Sequence, residues 1–109
     1  MNYLGYTWAD RNENLTEAKK MIARALAKEP ENGAYLDSYG WVLFRMGKLK
    51  DAEKYIRKAL EKNSKDAIIF EHLGDIYWGM GKKEEARIYY RKALDRDSKN
   101  VVLKDKLSR

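Results

Sequence analysis

The chain has 109 residues, of which 44% are hydrophobic and 12% aromatic, and its formal net charge at pH 7 is +6. This length predicts a single domain, residues 1–109, and the apolar and aromatic content argues against intrinsic disorder. The sequence has no cysteine, which excludes disulfides and thiolate metal sites, and no run approaches the roughly 18 apolar residues that a membrane-spanning helix needs.

Helical periodicity and helix-end signals predict seven helices. Asn32, Asp66 and Asn100 each stand just before an apolar segment, where a side-chain oxygen can accept a hydrogen bond from a free backbone N–H. Asn14 with Glu17 has the spacing of a capping box, which predicts a further helix start. In chain order the predicted helices are residues 2–10, 15–28, 33–46, 49–62, 67–80, 83–96 and 101–108.

Small residues recur along the chain at an interval of 34 residues. Ala18, Ala52 and Ala86 keep this interval, and so do Gly40 and Gly74. A small side chain is needed wherever two helix axes cross closely, so a fixed period near this length indicates stacked helical hairpins. The period therefore predicts an all-α repeat architecture, which offers surface for binding rather than a catalytic cleft.

The residues that carry the period match a known repeat. A large side chain followed by glycine, and three residues later by another large side chain, occurs at residues 4–8, 39–43 and 73–77. Together with the periodic alanines, this pattern resembles the tetratricopeptide repeat. The resemblance implies a right-handed α-solenoid of three tetratricopeptide helical hairpins plus a C-terminal capping helix. The resemblance covers nearly the whole chain, and the chain is similar to the repeat segments of bacterial proteins.

The resemblance also divides the chain. The implied hairpins are residues 1–32, 33–66 and 67–100, and the terminal helix is 101–109. In that helix we expect Val101, Leu103 and Leu107 to cover the open side of the third hairpin. The opposite end of the chain has no such cover, which predicts a place for self-association at the N-terminal repeat.

In this family the first helix of each hairpin lines a concave groove, and positions three before, one after and four after its glycine point inward. These positions predict a groove of aromatic rings beside a column of carboxylates, in which Trp41 and Trp78 lie on a solvated face. The expected ligand is a protein or peptide with apolar and basic side chains. With two neighbouring side chains added, the predicted groove residues are Tyr6, Asp37, Trp41, Phe44, Arg45, Glu71, His72, Asp75, Trp78 and Asp105.

Nothing in the sequence predicts catalysis. Glu71 and Asp75 share one helix face, but paired acids do acid–base work only where burial separates their pKa values, and the predicted groove is open. His72 is the single histidine, and the chain has neither a glycine-rich phosphate loop nor a zinc-ligand spacing. We therefore predict no enzymatic activity, no catalytic residue, no metal site and no cofactor.

One subclass of the family holds the acidic C-terminal tails of chaperones in a clamp of lysine, asparagine and arginine side chains. The clamp positions of this chain hold Asn2, Tyr6, Ser38, Ile68 and His72. None of these matches, and the carboxylates nearby would repel an acidic tail. The sequence therefore predicts that the chain has no carboxylate clamp.

Two other functions remain as alternatives. Related helical repeats read RNA one base per repeat, but they need a basic groove, and the acidic column predicted here would repel phosphate. The basic residues cluster instead on the second helix of each hairpin, where we interpret them as ordinary solvated faces. The other alternative is a structural segment that spaces or assembles parts of a larger protein.

Overall fold

The computed structural model describes residues 14–63 and 66–109, and within them the chain forms α-helices and no strand. Each helix agrees with its predicted range to within one residue at either end, while the predicted helix 2–10 and the N-terminal place for self-association lie outside the described residues. No helix in the described part is both long enough and apolar enough to cross a membrane. The six helices are α1 Leu15–Lys28, α2 Gly33–Arg45, α3 Leu49–Lys62, α4 Ala67–Gly79, α5 Lys83–Arg96 and α6 Val101–Leu107.

Side-chain caps begin the first helices of the hairpins, as predicted. Asn32 accepts a hydrogen bond from the backbone N–H of Tyr35 at 3.1 Å, and Asp66 and Asn100 cap α4 and α6 in the same way. The capping box predicted at Asn14 is wrong. Asn14 has left-handed backbone geometry (φ 49°), and its side chain makes no capping hydrogen bond.

In the second and third hairpins, a glycine lies in the turn between the two helices. Gly47 and Gly81 have φ values of 82° and 81°, in the left-handed region that side chains with a Cβ rarely adopt. The next residue donates its N–H back to the last turn, from Lys48 to the Leu43 carbonyl at 2.9 Å and from Lys82 to the corresponding carbonyl at 2.9 Å. This is the Schellman pattern, which ends a helix and turns the chain back along it.

The 34-residue period marks close crossings between helices. A Cβ added at Gly40 would lie 2.7 Å from the Ile56 side chain, and one at Gly74 would lie 2.6 Å from the Tyr90 ring. Ala52 is completely buried in the same crossing. The small residues recur because each first helix leaves no room for a larger side chain against its own second helix.

A tyrosine joins the third hairpin to the second on the side of α3. The Tyr77 ring is buried, and its hydroxyl donates to Glu53 at 2.5 Å while it accepts a hydrogen bond from Arg57. Burial, together with the bond to Glu53, raises the pKa of Tyr77 to about 12, so the hydroxyl keeps its proton and remains a donor.

The core runs without interruption from α2 to α6, and the last helix covers its end. Leu103 is fully buried and Leu107 partly buried, as predicted. Val101 does not contribute, because it is 67% exposed. Two residues correspond to about 200° around a helix, so Val101 lies on the side of α6 opposite Leu103.

Candidate binding surface

The first helices of successive hairpins, α2, α4 and α6, lie next to one another. Side chains of α2 contact those of α4, and side chains of α4 contact those of α6. On α4, Ile68, Glu71 and Asp75 lie on one face, because residues three and four apart share one side of a helix. Along this face the exposed fraction falls from 54% for Ile68 to side-chain values of 20% for Glu71 and 15% for Asp75. The face is therefore open at the first turn of α4 and closed in its middle.

Between α2 and α4, three predicted groove residues form a closed cluster. The Asp37 Oδ1 and His72 Nδ1 atoms are 2.8 Å apart, and the Trp41 ring stacks on the His72 ring with centroids 4.0 Å apart. Only 6–8% of each residue is exposed. The expectation that Trp41 lies on a solvated face is wrong, because its ring stacks on His72 of the third hairpin and belongs to one core cluster with Ala18 and Ile22 of the first.

Ring contacts hold Trp41 in this cluster. Phe44 stacks on it at 4.9 Å between centroids, and the Arg45 guanidinium lies 5.9 Å from its ring centre. Among the residues that the structure describes, the Trp41 indole N–H has no hydrogen-bond partner. The cluster therefore depends on packing and on the Asp37–His72 pair.

The charge state of His72 follows from its neighbours. Burial by itself lowers the pKa of His72, but the charge of Asp37 and its hydrogen bond oppose burial, and Asp75 and Glu71 add to their effect. The net result is a raised pKa, so Asp37 favours the imidazolium form of a buried histidine.

The two acids on α4 are also paired within the chain. Lys106 Nζ of α6 lies 2.6 Å from Glu71 Oε2 and 3.0 Å from Asp75 Oδ1. Asp75 also accepts a hydrogen bond of 2.6 Å from the hydroxyl of Tyr90, and burial followed by this bond raises the pKa of Tyr90. Both predicted acids on α4 thus contact one lysine, which offsets one of their two negative charges.

These contacts repeat with the fold. The Asp37–His72 and Glu71–Lys106 pairs each join residues 35 apart in the chain, and equivalent members of the two pairs are 34 apart. We call these two contacts the rungs. Sequence reasoning found the acids of the rungs and missed the role of their bases, although His72 and Lys106 carry the same 34-residue interval.

The remaining predicted residues differ in accessibility. Trp78 is partly buried, with the Arg109 guanidinium 4.6 Å and the Lys83 ammonium 5.2 Å from its ring centre. Asp105 is exposed and makes no salt bridge within residues 14–63 and 66–109. Tyr6 lies outside the described residues.

Two exposed residues on this face were missed. Ile68 is 54% exposed and Val102 is 52% exposed, and they occupy equivalent positions 34 residues apart in α4 and α6. Each precedes an acid of the predicted column, Glu71 or Asp105, by three residues. The available signal was the 34-residue interval itself, since Ile68 lies six residues before Gly74 and Val102 six residues before Ser108. We call Ile68 and Val102 the apolar rim.

The described residues contain no candidate metal centre. No group of three or more His, Cys, Asp or Glu side chains in that part of the chain could hold a metal ion. The single histidine is enclosed, and the paired acids on α4 face a lysine rather than open space.

The family follows from the sequence match. The model of the tetratricopeptide repeat matches residues 9–67 and again 39–101. The chain belongs to the tetratricopeptide repeat family. A bacterial relative, TPR repeat-containing protein PA4667 of Pseudomonas aeruginosa, is 47% identical over 49 residues, which is 45% of this chain. The match spans only 8% of that protein's length.

Solved tetratricopeptide structures share the fold of this chain. The first such domain of human RPAP3 has a TM-score of 0.88 at 20% identity, over 98% of this chain and 84% of that one. The first such domain of Spaghetti (RPAP3), bound to the HSP90 peptide SRMEEVD, has a TM-score of 0.86 at 20% identity, over 95% and 82%. MamA has a TM-score of 0.84 at 18% identity, over 95% and 60%. These similarities establish the all-α repeat solenoid.

Proposed function

We propose that this chain is a protein-interaction module, and that it binds a segment of a partner protein across the first helices α4 and α6. The observation that carries the proposal is the apolar rim. Ile68 and Val102 are two of the four large hydrophobic residues that are exposed in the described part of the chain, and they occupy the same position on neighbouring first helices. Exposed apolar residues aligned on one face are typical of an interaction site.

The partner's chemistry follows from what is accessible. Apolar side chains of the partner would pack on the rim, and a basic side chain would meet Asp105, the exposed acid one turn further along α6. The rungs would support this surface from beneath, since their acids already have partners. We therefore place binding at the first turns of α4 and α6 rather than at the buried Trp41.

An acidic tail is a poor candidate for this surface. The HSP90 peptide belongs to the Spaghetti (RPAP3) structure, whose likeness to this chain extends to the fold. At the positions of the chaperone clamp, this chain has the exposed Ile68 and the buried His72, and neither supplies an accessible cation. Binding rather than catalysis also fits the enclosed histidine and the lysine-paired acids.

The proposal is tested by capturing a partner from source-organism lysate and then measuring its affinity for single variants. Ile68→Ser and Val102→Ser should each weaken the complex by about 1–2 kcal/mol, because each removes one apolar side chain from the contact. Ile88→Ser is the matched control, since Ile88 is 53% exposed but lies on α5. Equal affinities for all three variants and wild type would show that the partner binds elsewhere.

A further inference from the structure

The second helices of the hairpins carry a regular array of cations. We define the basic face as positions i, i+4 and i+8, beginning at Lys20 in α1, at Lys54 in α3 and at Ile88 in α5; these starting residues are 34 apart. Lys or Arg occupies eight of the nine positions, and all nine side chains are exposed. The ninth is Ile88, at 53% exposure.

The basic face has more bases than the acids that share its side, whereas acids and bases alternate on an ordinary solvated helix face. Here no acid occupies any of the nine positions. Three acids lie on the same side three residues before the start of a column, Glu17, Asp51 and Glu85, and two more lie seven residues after a start, Glu61 on α3 and Asp95 on α5. The excess of positive charge therefore lies on α1 and α3, while Glu85 and Asp95 balance the two cations of the face on α5.

Little of this charge is neutralised within the chain. Among the described residues, Lys20 pairs with Glu17 at 3.7 Å and Lys62 pairs with Glu31, and the other cations of the face make no salt bridge. On the middle helix the ammonium groups of Lys54 and Lys58 lie 5.9 and 5.3 Å from the centre of the Tyr55 ring. These two charged groups thus lie near an aromatic ring rather than near an acid.

We propose that the basic face docks this protein on an anionic lipid bilayer. Within one column, cations recur about every 6 Å along the helix, and the three helices repeat the column sideways, so the charges cover an area rather than a line. Anionic headgroups move freely in the plane of a bilayer and can gather beneath each fixed cation. Ile88 adds an apolar side chain that can enter the headgroup layer.

A nucleic acid fits the same charges less well. A phosphate backbone is a linear anion and would follow one row of the array, leaving the others unused. The nine positions contain no amide that could read a base edge and no aromatic ring on which a base could stack. The face also lies on α1, α3 and α5, so it is separate from the apolar rim, and a partner protein and a bilayer could be bound together.

Co-sedimentation with lipid vesicles tests this proposal. Wild type should bind vesicles of phosphatidylcholine with phosphatidylglycerol, should not bind vesicles of phosphatidylcholine alone, and should be released by salt. Lys54→Glu with Lys58→Glu should weaken binding by about 30-fold or more, since each cation near an anionic surface contributes roughly fivefold in affinity. Ile88→Ser should weaken it a few-fold.

The matched control reverses two exposed lysines outside the face, Lys99→Glu with Lys104→Glu, and has the same net charge as the Lys54/Lys58 variant. It should bind close to wild type. Circular dichroism checks that both variants fold. If the Lys54→Glu, Lys58→Glu variant does not fold, Lys54→Gln with Lys58→Gln replaces it. Ile68→Ser should leave vesicle binding unchanged, which keeps this test independent of the proposed protein partner.

Several results would overturn the proposal. Binding to neither type of vesicle, or equally to both, would exclude recognition of anionic lipid. An equal loss for the two charge-reversed variants would show that net charge alone is responsible. A duplex DNA oligonucleotide that binds more tightly than the anionic vesicles, and loses affinity in the Lys54/Lys58 variant, would assign the basic face to nucleic acid instead.

Discussion

The two rungs occupy equivalent positions between neighbouring first helices, but their surroundings differ. The Asp37–His72 rung is enclosed, with side-chain exposures of 12% and 8%, and the Trp41 ring lies on it. The Glu71–Lys106 rung is more open, with both side chains 20% exposed, and its lysine is shared with Asp75. One repeated contact thus serves as part of the core at one interface and as a partly solvated ion pair at the next.

The difference matters because burial decides what an ion pair contributes. An enclosed pair leaves an uncompensated charge when one partner is removed, whereas a solvated pair is replaced by water. The inner rung should therefore act on stability, and the outer one should mainly set the charge of the surface. Substitutions at equivalent positions can test this distinction.

Alanine substitutions of Trp41 and Trp78 should give the largest difference in stability between the two regions. Trp41→Ala should lower the free energy of unfolding by about 3–5 kcal/mol, the usual cost of emptying a buried aromatic site. Trp78→Ala should cost about 1–2 kcal/mol, because its ring is only partly buried. Urea denaturation followed by circular dichroism measures both. If Trp41→Ala unfolds at the same midpoint as wild type, Trp41 is not part of the core.

Removing the acid of each rung should give a smaller contrast. Asp37→Ala should cost about 2–4 kcal/mol, since it removes the acid that contacts the buried His72. Glu71→Ala should cost at most about 1 kcal/mol, because Asp75 still binds Lys106 and the site is partly solvated. Thermal melts of the two variants in one buffer compare them. Equal costs would mean that burial does not distinguish the rungs.

The inner rung should also give the stability a dependence on pH. The pKa of His72 is raised in the folded chain, so its stabilising effect is fully present below the unfolded value near 6.5 and is lost as pH rises through the folded value. Wild type should therefore lose stability as the pH rises from 6 into the mildly alkaline range. Denaturant midpoints across this range measure the loss.

The control for this prediction is Asp37→Asn. It removes the negative charge that raises the pKa of His72 most, so the stability should depend less on pH. Glu71→Gln should keep most of it. His72 is the only histidine in the chain, so no other side chain has an ordinary pKa in this interval. A pH dependence that Asp37→Asn leaves intact would have to come from another group.

Much of this fold was readable from the sequence because its signals are local or periodic. The caps at Asn32, Asp66 and Asn100 depend on neighbouring residues, and Gly40 and Gly74 repeat with each hairpin. These determine where helices begin and where they cross. The predicted helix ranges were accurate for the same reason.

The site was harder to predict because it depends on contacts between hairpins. Trp41 was expected in solvent, yet His72, 31 residues later, stacks on its ring. Glu71 was expected to be free, yet it meets Lys106, a residue of the next first helix. The spacing of these residues was visible, but no pattern within one hairpin shows which side chain of the next one it will face. Whether the predicted groove residues bind a ligand stays a prediction.

The central claim is that a partner protein contacts the apolar rim. The most direct measurement is a methyl NMR titration of the full chain, labelled at isoleucine and valine, with the captured partner segment. The methyl signals of Ile68 and Val102 should shift first and furthest, while those of Ile88, equally exposed on α5, should stay in place. Shifts at Ile88 with unchanged signals at Ile68 and Val102 would contradict the account and move the binding surface to the second helices.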